Sequence, residues 1–422
     1  MSRKLFRNAN IYTPVDNGRP AAGKDQGLLN HFPHGAILVE NGVIKVIGDE
    51  KDVLAGIKES PASCVETGDI HLEIDCQGHC LIPGFVDPHT HMCFAKAREA
   101  EFGMRIQGTP YLEILEKGGG IHSSVRAVAE ASEEDLYENT RNHVLSALKL
   151  GTTTVEIKSG YGLDLENELK MLKAIGRVSQ TTPLDVVATF LGAHAIPPVY
   201  KENPDAFIDL IIEEMLPAVK DQGIARFCDI FCEKGVFSIK QGRKLLSAAK
   251  ALGFGLKIHA DEVHDLGGAG LAADLCAVSA DHLLAASDEN MAKMAAAGVV
   301  ANLLPATAYS LKKSYARARA MIEKNLPVAL ATDCNPGSSY TESMPFVIGL
   351  AVLNMEMTPA QALTAATLNS AYAINMAAKV GSLDVGKQAD FLLIDGDSPA
   401  MIAYHAGVAP VTAVYKLGEK VA

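Results

Sequence analysis

The chain has 422 residues and a formal charge of −12, a balance that argues against binding nucleic acid or an anionic membrane surface, although a local arginine can still hold an anionic ligand. No run of about 18 apolar residues occurs, and the first twenty residues lack the apolar core of a secretory leader, so a cytoplasmic protein with no membrane partner is expected. Eight cysteines are scattered along the chain, Cys228 and Cys232 offering no more than a C-x3-C spacing; reduced, buried thiols suit that pattern better than a disulfide framework or a zinc site.

The first 80 residues read as β structure. In "GAILVENGVIKVIGDE" two apolar runs flank Asn41-Gly42, a hairpin signal because a type I′ turn needs positive φ at both central positions. The last 45 residues are similar, with Gly/Asp turns between short runs in "VGSLDVGKQADFLLIDGD" and "VTAVYKLGEKVA". We expect the two ends to combine into one small discontinuous β-sandwich domain, residues 1–80 plus 378–422.

The middle, residues 81–377, alternates. Strand-like runs at "LIPGFVDPH", "TTTVEIKS", "LDVVATFLGAH", "FCDIFCE", "FGLKIHAD", "AVSADH", "GVVANLLP" and "LPVALATD" are separated by stretches of helical period such as "ENELKMLKAIGRVSQ" and "IKQGRKLLSAAKALG". Near-continuous apolar strands in β-α repeats imply parallel pairing. Eight of them over about 290 residues predict an α/β fold, a (β/α)8 TIM-type barrel.

In such a barrel the active site lies at the carboxyl ends of the strands. Strand 1 runs into His89 and His91. Strand 2 leads to Lys158 and Tyr161, strand 3 to His194, and strand 4 to Glu233 and Lys234. Strand 5 carries His259, then Glu262; strand 6 ends at His282 and strand 8 at Asp333. One His-x-His pair is weak evidence, since 13 histidines in this length give on the order of 0.4 by chance. Five histidines at strand ends are another matter.

Residues i and i+2 of a strand share a face, so His89 and His91 can reach one ion, joined across the barrel by His259 and Asp333. Three imidazoles and a carboxylate suit one divalent Zn or Fe ion with a position open for water, which becomes a hydroxide source near neutral pH. Glu262 is placed to shuttle a proton, unless it is only a solvated loop glutamate. His282 is a catalytic group, a hydrogen-bonding partner behind the ligands, or a second-metal ligand. "KGGGIH" and "LGGAGLAAD" lack the nucleotide-binding fingerprints and read as site loop and helix start.

The ordered set "PGFVDPHTH", "HTHMCFAKAREAEF", "EKGGGIHSS", "TTVEIKSGYGL", "TFLGAHAIP", "IHADE", "DCNPGSSYTESMP" and "VGSLDVGKQADFLLID" resembles the amidohydrolase superfamily over nearly the whole chain, and within it the hydrolases of histidine degradation. The resemblance implies one metal on His89, His91, His259 and Asp333, with Glu262, His282 and Asp333 as catalytic groups. It implies hydrolytic ring opening of 4-imidazolone-5-propanoate to N-formimidoyl-L-glutamate. It also implies a small-molecule substrate bearing a carboxylate, and a homodimer. Arg98 would hold that carboxylate through two parallel hydrogen bonds. Tyr161 and His194 would contact the ring and carboxylate region, and Tyr111 is a further contact unless "GTPYLEIL" is only helix packing. Asn335, Gly337, Ser338 and Glu262 complete the substrate set, though Asn-Pro-Gly-Ser is also good turn sequence.

The chain departs from that pattern at Lys96, where glycine is commoner and where the loop aiming Arg98 begins. Glu233 and Lys234 stand where two-metal relatives place a bridging ligand, a role for which Lys158 on strand 2 is poorly placed. A nucleobase deaminase of the same superfamily is the alternative activity; a cyclic amide hydrolase would favour two metals.

Overall fold

The computed structural model describes residues 3–59, 70–109, 113 and 118–422. Two eight-stranded sheets organise them. The first holds β1 (Arg3–Pro14), β2 (Leu29–Glu40), β3 (Val43–Asp49), β4 (Leu72–Asp75) and β5 (Cys80–Pro83) from the amino-terminal part. The second holds β6 (Phe85–Asp87), β7 (Thr152–Lys158), β8 (Asp185–Ala193), β9 (Ala225–Cys232), β10 (Gly255–Ala260), β11 (Ser279–His282), β12 (Val300–Leu303) and β13 (Val328–Leu330). The chain then returns to the first sheet with β14 (Phe391–Ile394), β15 (Val411–Lys416) and β16 (Glu419–Lys420).

The β structure expected from the two termini is therefore one mixed sheet. β1 pairs antiparallel with β2 and parallel with β4 and β5, and β14 pairs antiparallel with β5. Asn41 and Gly42, at φ 50° and 82°, make the predicted left-handed turn between β2 and β3. The rings of Phe6, Phe391 and Tyr415 stand 4.8–5.1 Å apart, a cluster that joins the first strand to the last ones. Lys416 fastens this sheet to the barrel, its Nζ lying 2.5 Å from Asp390 and 2.6 Å from Asp185 at the start of β8.

The second sheet is parallel throughout, in sequence order from β6 to β13. Amphipathic helices pack outside it, and side chains fix where several begin: Ser132 and Ser238 head capping boxes, and Asp164 accepts from Asn167 N. The apolar run "LIPGFVDPH", read from the sequence as one barrel strand, spans parts of two. Pro83-Gly84 ends the piece bound to β1, and the barrel strand starts at Phe85. Gly84 lies so close to Thr153 that a side chain would strike it.

β13 and β6 close the ring just beyond their own ends. Asp333 N donates to His89 O at 3.1 Å and His91 N to Cys334 O at 2.9 Å. Buried Asp87 accepts from Thr332 N and Oγ1 at 3.1 and 2.5 Å. The seam is thus zipped by the segments that carry three of the predicted ligands. No helix among the described residues is long and apolar enough to cross a membrane.

Candidate active site

His89 and His91 follow β6, His259 is the penultimate residue of β10, and Asp333 lies just past β13. Their side chains converge. His91 Nε2 is 3.3 Å from both His89 Nε2 and His259 Nε2, and Asp333 Oδ1 is 3.6 Å from the Nε2 atoms of His89 and His91. All four residues are buried.

What turns those nitrogens inward is a second set of carboxylates. His89 Nδ1 lies 2.6 Å from Asp281 Oδ2, and His259 Nδ1 lies 3.1 Å from Asp229 Oδ2. The hydrogen-bonded His89 ring then carries its proton on Nδ1 and leaves its Nε2 lone pair facing the others. Thr307 Oγ1 donates to Asp333 Oδ2 at 2.5 Å, leaving Oδ1 on the same side as the imidazoles. Burial holds His89 and His91 well below the ordinary imidazole range; Lys158 adds to this for His89, and His194 and His259 for His91. Clustered imidazole nitrogens beside a carboxylate oxygen are a donor set for a divalent cation, and the residues present fit one.

Beneath the ligands lies a fully buried charge network. Lys158 Nζ is 2.8 Å from Glu156, 3.0 Å from Asp229 and 3.9 Å from Asp281; Lys257 Nζ is 2.7 Å from Ser279 Oγ, which donates to Asp281. Lys158 thus sits behind the ligands, neutralising the acids that orient His259 and His89. Sequence reasoning missed Asp229, Asp281 and Thr307. The available signal was an acid inside an apolar strand, as in "FCDIFC" and "SADH", because a buried charge needs a partner.

Above the ligands opens a cavity of about 740 Å³. His91, His259 and Asp333 form its floor; Arg98, Tyr161, His194, Glu262, His282, Asn335, Gly337 and Ser338 all line it. Tyr111 lies outside the described residues. The His194 ring stacks on His91 at 4.8 Å, and its Nδ1 is 3.0 Å from Gly160 O. Burial pushes its pKa down to about 3. His194 is therefore a neutral ring whose Nε2 accepts, which suits an N–H of a ligand rather than a carboxylate. The Tyr161 hydroxyl is pushed up by burial and remains a donor. Its loop is gathered by buried Glu168, which accepts from the N–H groups of Gly160, Gly162 and Leu163.

Arg98 is tied by its backbone, N donating to Pro336 O at 3.0 Å, while its neighbour Lys96 points to solvent. The guanidinium packs over Gly337, where a methyl group would coincide with it. Among the described residues the buried Nε and Nη1 have no hydrogen-bond partner, Glu101 standing 3.7 Å from Nε. Idle donors of a half-buried cation beside a cavity suit a carboxylate. The backbone donors expected from the 335–338 turn are already used: Gly337 N and Ser338 N donate to Asn335 Oδ1 at 2.8 and 2.7 Å. That turn shapes the wall under Arg98 instead of presenting those N–H groups to a ligand.

Glu262 faces the cavity from the loop after β10, its Oε2 3.9 Å from His282 Nε2. Glu233, at the position where a second metal would be bridged, has both oxygens occupied. Oε1 accepts from Lys234 N and pairs with His264 Nδ1, both at 2.8 Å, and Oε2 accepts from Val263 N and His264 N at 2.9 and 3.3 Å. Asp261 similarly collects the N–H groups of Leu266, Gly268 and Ala269. The glycine-rich helix start at residues 267–270 thus already carries an anion of its own.

A model of the amidohydrolase family matches residues 80–262 and 245–421. The chain is 68% identical over 421 residues to a protein named imidazolonepropionase from Desulfotalea psychrophila, covering 100% of both chains. It is 62% identical over 416 residues to one of the same name from Syntrophobacter fumaroxidans, covering 99% of this chain and 96% of the other. Among solved structures, a zinc-bound adenosine deaminase from Xanthomonas campestris superposes with a TM-score of 0.71 at 19% identity, over 99% of this chain and 92% of that one. A guanine deaminase from E. coli gives 0.72 at 14% identity, over 100% and 99%. Such distant likenesses carry the fold alone.

Proposed function

The chain belongs to the amidohydrolase family, with full-length kinship to imidazolonepropionases, and on that premise we propose that it is a metal-dependent hydrolase that opens the ring of 4-imidazolone-5-propanoate to give N-formimidoyl-L-glutamate. One divalent ion, zinc or iron, would be held by His89, His91, His259 and Asp333. When bound it supplies Lewis acidity, lowering the pKa of water to about 7. The occupied oxygens of Glu233 support one ion rather than two.

The remaining work falls to side chains of this chain. Water adds to the ring carbonyl carbon, the carbon–nitrogen bond breaks, and the nitrogen departs within the formimidoyl group, taking up a proton as a new carboxylate appears. Glu262 takes the proton from the attacking water and returns it to the leaving nitrogen. His282 and Asp333 flank that exchange, the Thr307 hydroxyl donating to Asp333 Oδ2. Arg98 binds the propanoate, while Tyr161 and His194 hold the ring. Asn335, Gly337 and Ser338 keep the guanidinium in place. We extend the proposal to a cytoplasmic homodimer, which light scattering of the purified protein and cell fractionation test.

The observation that carries this reading is Arg98, whose buried Nε and Nη1 have no hydrogen-bond partner among the described residues and which lines the cavity whose floor is the imidazole cluster. The test is to mix metal-analysed protein with freshly generated 4-imidazolone-5-propanoate and follow its ultraviolet absorbance. Rapid loss, with about one metal per chain, is expected. No loss, with ammonia released instead from cytosine or guanine, would overturn it in favour of a deaminase.

A further inference from the structure

Among the described residues Glu262 makes no hydrogen bond through its side chain; its Oε2 stands 3.9 Å from His282 Nε2. It sits on a short loop that leaves β10 through Asp261, a left-handed residue at φ 49°. A carboxylate that must take a proton at one atom and deliver it at another needs a fixed stalk. The stalk here is supplied from the neighbouring strand.

Glu233 follows β9, the strand whose Asp229 orients His259. It is 5% exposed, and its two oxygens hold the two residues directly after Glu262 through Val263 N, His264 N and the His264 ring. From the other end Asp261 anchors Leu266, Gly268 and Ala269. The loop is therefore clamped on both sides of its catalytic member.

We propose that Glu233 is a positioning residue for the reaction, holding Glu262 at the cavity by gripping the backbone of Val263 and His264. The proposal rests on Glu262 being the proton carrier. It converts the strand-4 position, which could have bridged a second metal, into a clamp for the acid–base group. Glutamine is the informative replacement. It keeps the volume but turns an NH2 toward backbone N–H groups, where two donors face each other.

The experiment measures kcat, KM and metal content for Glu233→Gln, Glu262→Gln and the double variant. For Glu233→Gln we expect kcat to fall roughly 10- to 100-fold, as for other partners that orient a working group, with KM and metal content unchanged. In the double variant the fall caused by Glu233→Gln should vanish, because the group it positions is already inactive. Amide exchange at Val263 and His264 should accelerate in Glu233→Gln. His264→Ala, at a half-exposed side chain, gives the same test should Glu233→Gln not fold: a smaller kcat loss, again absent beside Glu262→Gln.

Wild-type kcat in Glu233→Gln, or a full additional loss in the double variant, would overturn the positioning role while leaving Glu262 in place. Wild-type turnover by Glu262→Gln would overturn the proton-carrier reading and the clamp together.

Discussion

In the terminal sheet, Phe6, Phe391 and Tyr415 meet ring against ring at 4.8–5.1 Å, and Phe391 is fully buried between strands from the two chain ends. At the barrel mouth the buried side chains are His89, His91, His259, Asp229, Asp281, Lys158 and Asp333, and almost every contact among them is polar. The first region gains stability from apolar area removed from water. The second forgoes that gain, burying charges that are tolerable only because each meets a partner. A barrel that devotes its carboxyl end to ions relies on the rest of the molecule for cohesion. Loss of function and loss of fold should therefore separate between the two.

The sharpest separation is expected at Glu262. Glu262→Gln should leave metal content and melting temperature intact while lowering kcat on the order of 10²- to 10⁴-fold, the range of a lost proton-transfer group; unchanged kcat would remove it from the chemistry. Phe391→Ala should do the reverse. Deleting a fully buried ring costs about 3–5 kcal/mol, read by chemical denaturation, with kcat per folded molecule unaltered. Gly337→Ala is subtler, because the added methyl displaces the Arg98 guanidinium. Losing one charge-assisted carboxylate contact is worth about 1.5–3 kcal/mol, so KM should rise roughly 10- to 100-fold with little change in melting temperature. An unchanged KM would mean that Arg98 does not touch the substrate.

The smallest effect lies at Asp16, which joins β1's exit to the return segment through Lys387 Nζ at 2.6 Å and Tyr372 Oη at 2.7 Å. Burial alone would raise its pKa; the donors from Lys387, Tyr372 and Gly18 outweigh that and lower it. A depressed carboxylate stabilises above the ordinary range and ceases to do so as pH falls through its folded value. Asp16→Asn should cost about 1–2 °C near neutrality, and the gap to wild type should close only in acid, below the usual aspartate range. A gap that persists there would assign the effect to packing.

The four proposed ligands stood out in the sequence because a strand repeats every two residues and a parallel barrel gathers strand ends at one mouth. His-Thr-His, His259 and Asp333 needed no knowledge of side-chain contacts. The oriented partners did not stand out. Asp229 and Asp281 differ from a surface acid only in lying within apolar strands, and Thr307 comes from a helix whose approach to Asp333 no spacing announces. Glu168 and Asp261 were equally hidden, and Glu233 was visible at its strand end but not as a clamp, since gathering loop N–H groups is a tertiary act. The run at residues 80–87 concealed a change of sheet, marked only by Pro83-Gly84. His194 was visible as a site residue, but its neutrality follows from burial.

In the proposed reaction the cavity recognises a carboxylate through Arg98, apart from the metal-dependent chemistry at its floor. The direct measurement compares kcat/KM of wild type and Arg98→Met on 4-imidazolone-5-propanoate and on the analogue in which the propanoate is a neutral propanamide. A loss of roughly 10- to 100-fold is expected for Arg98→Met on the acid and almost none on the amide, with metal content equal in both proteins. Equal losses on the two substrates would contradict it, placing Arg98 in the architecture of the site rather than on the substrate.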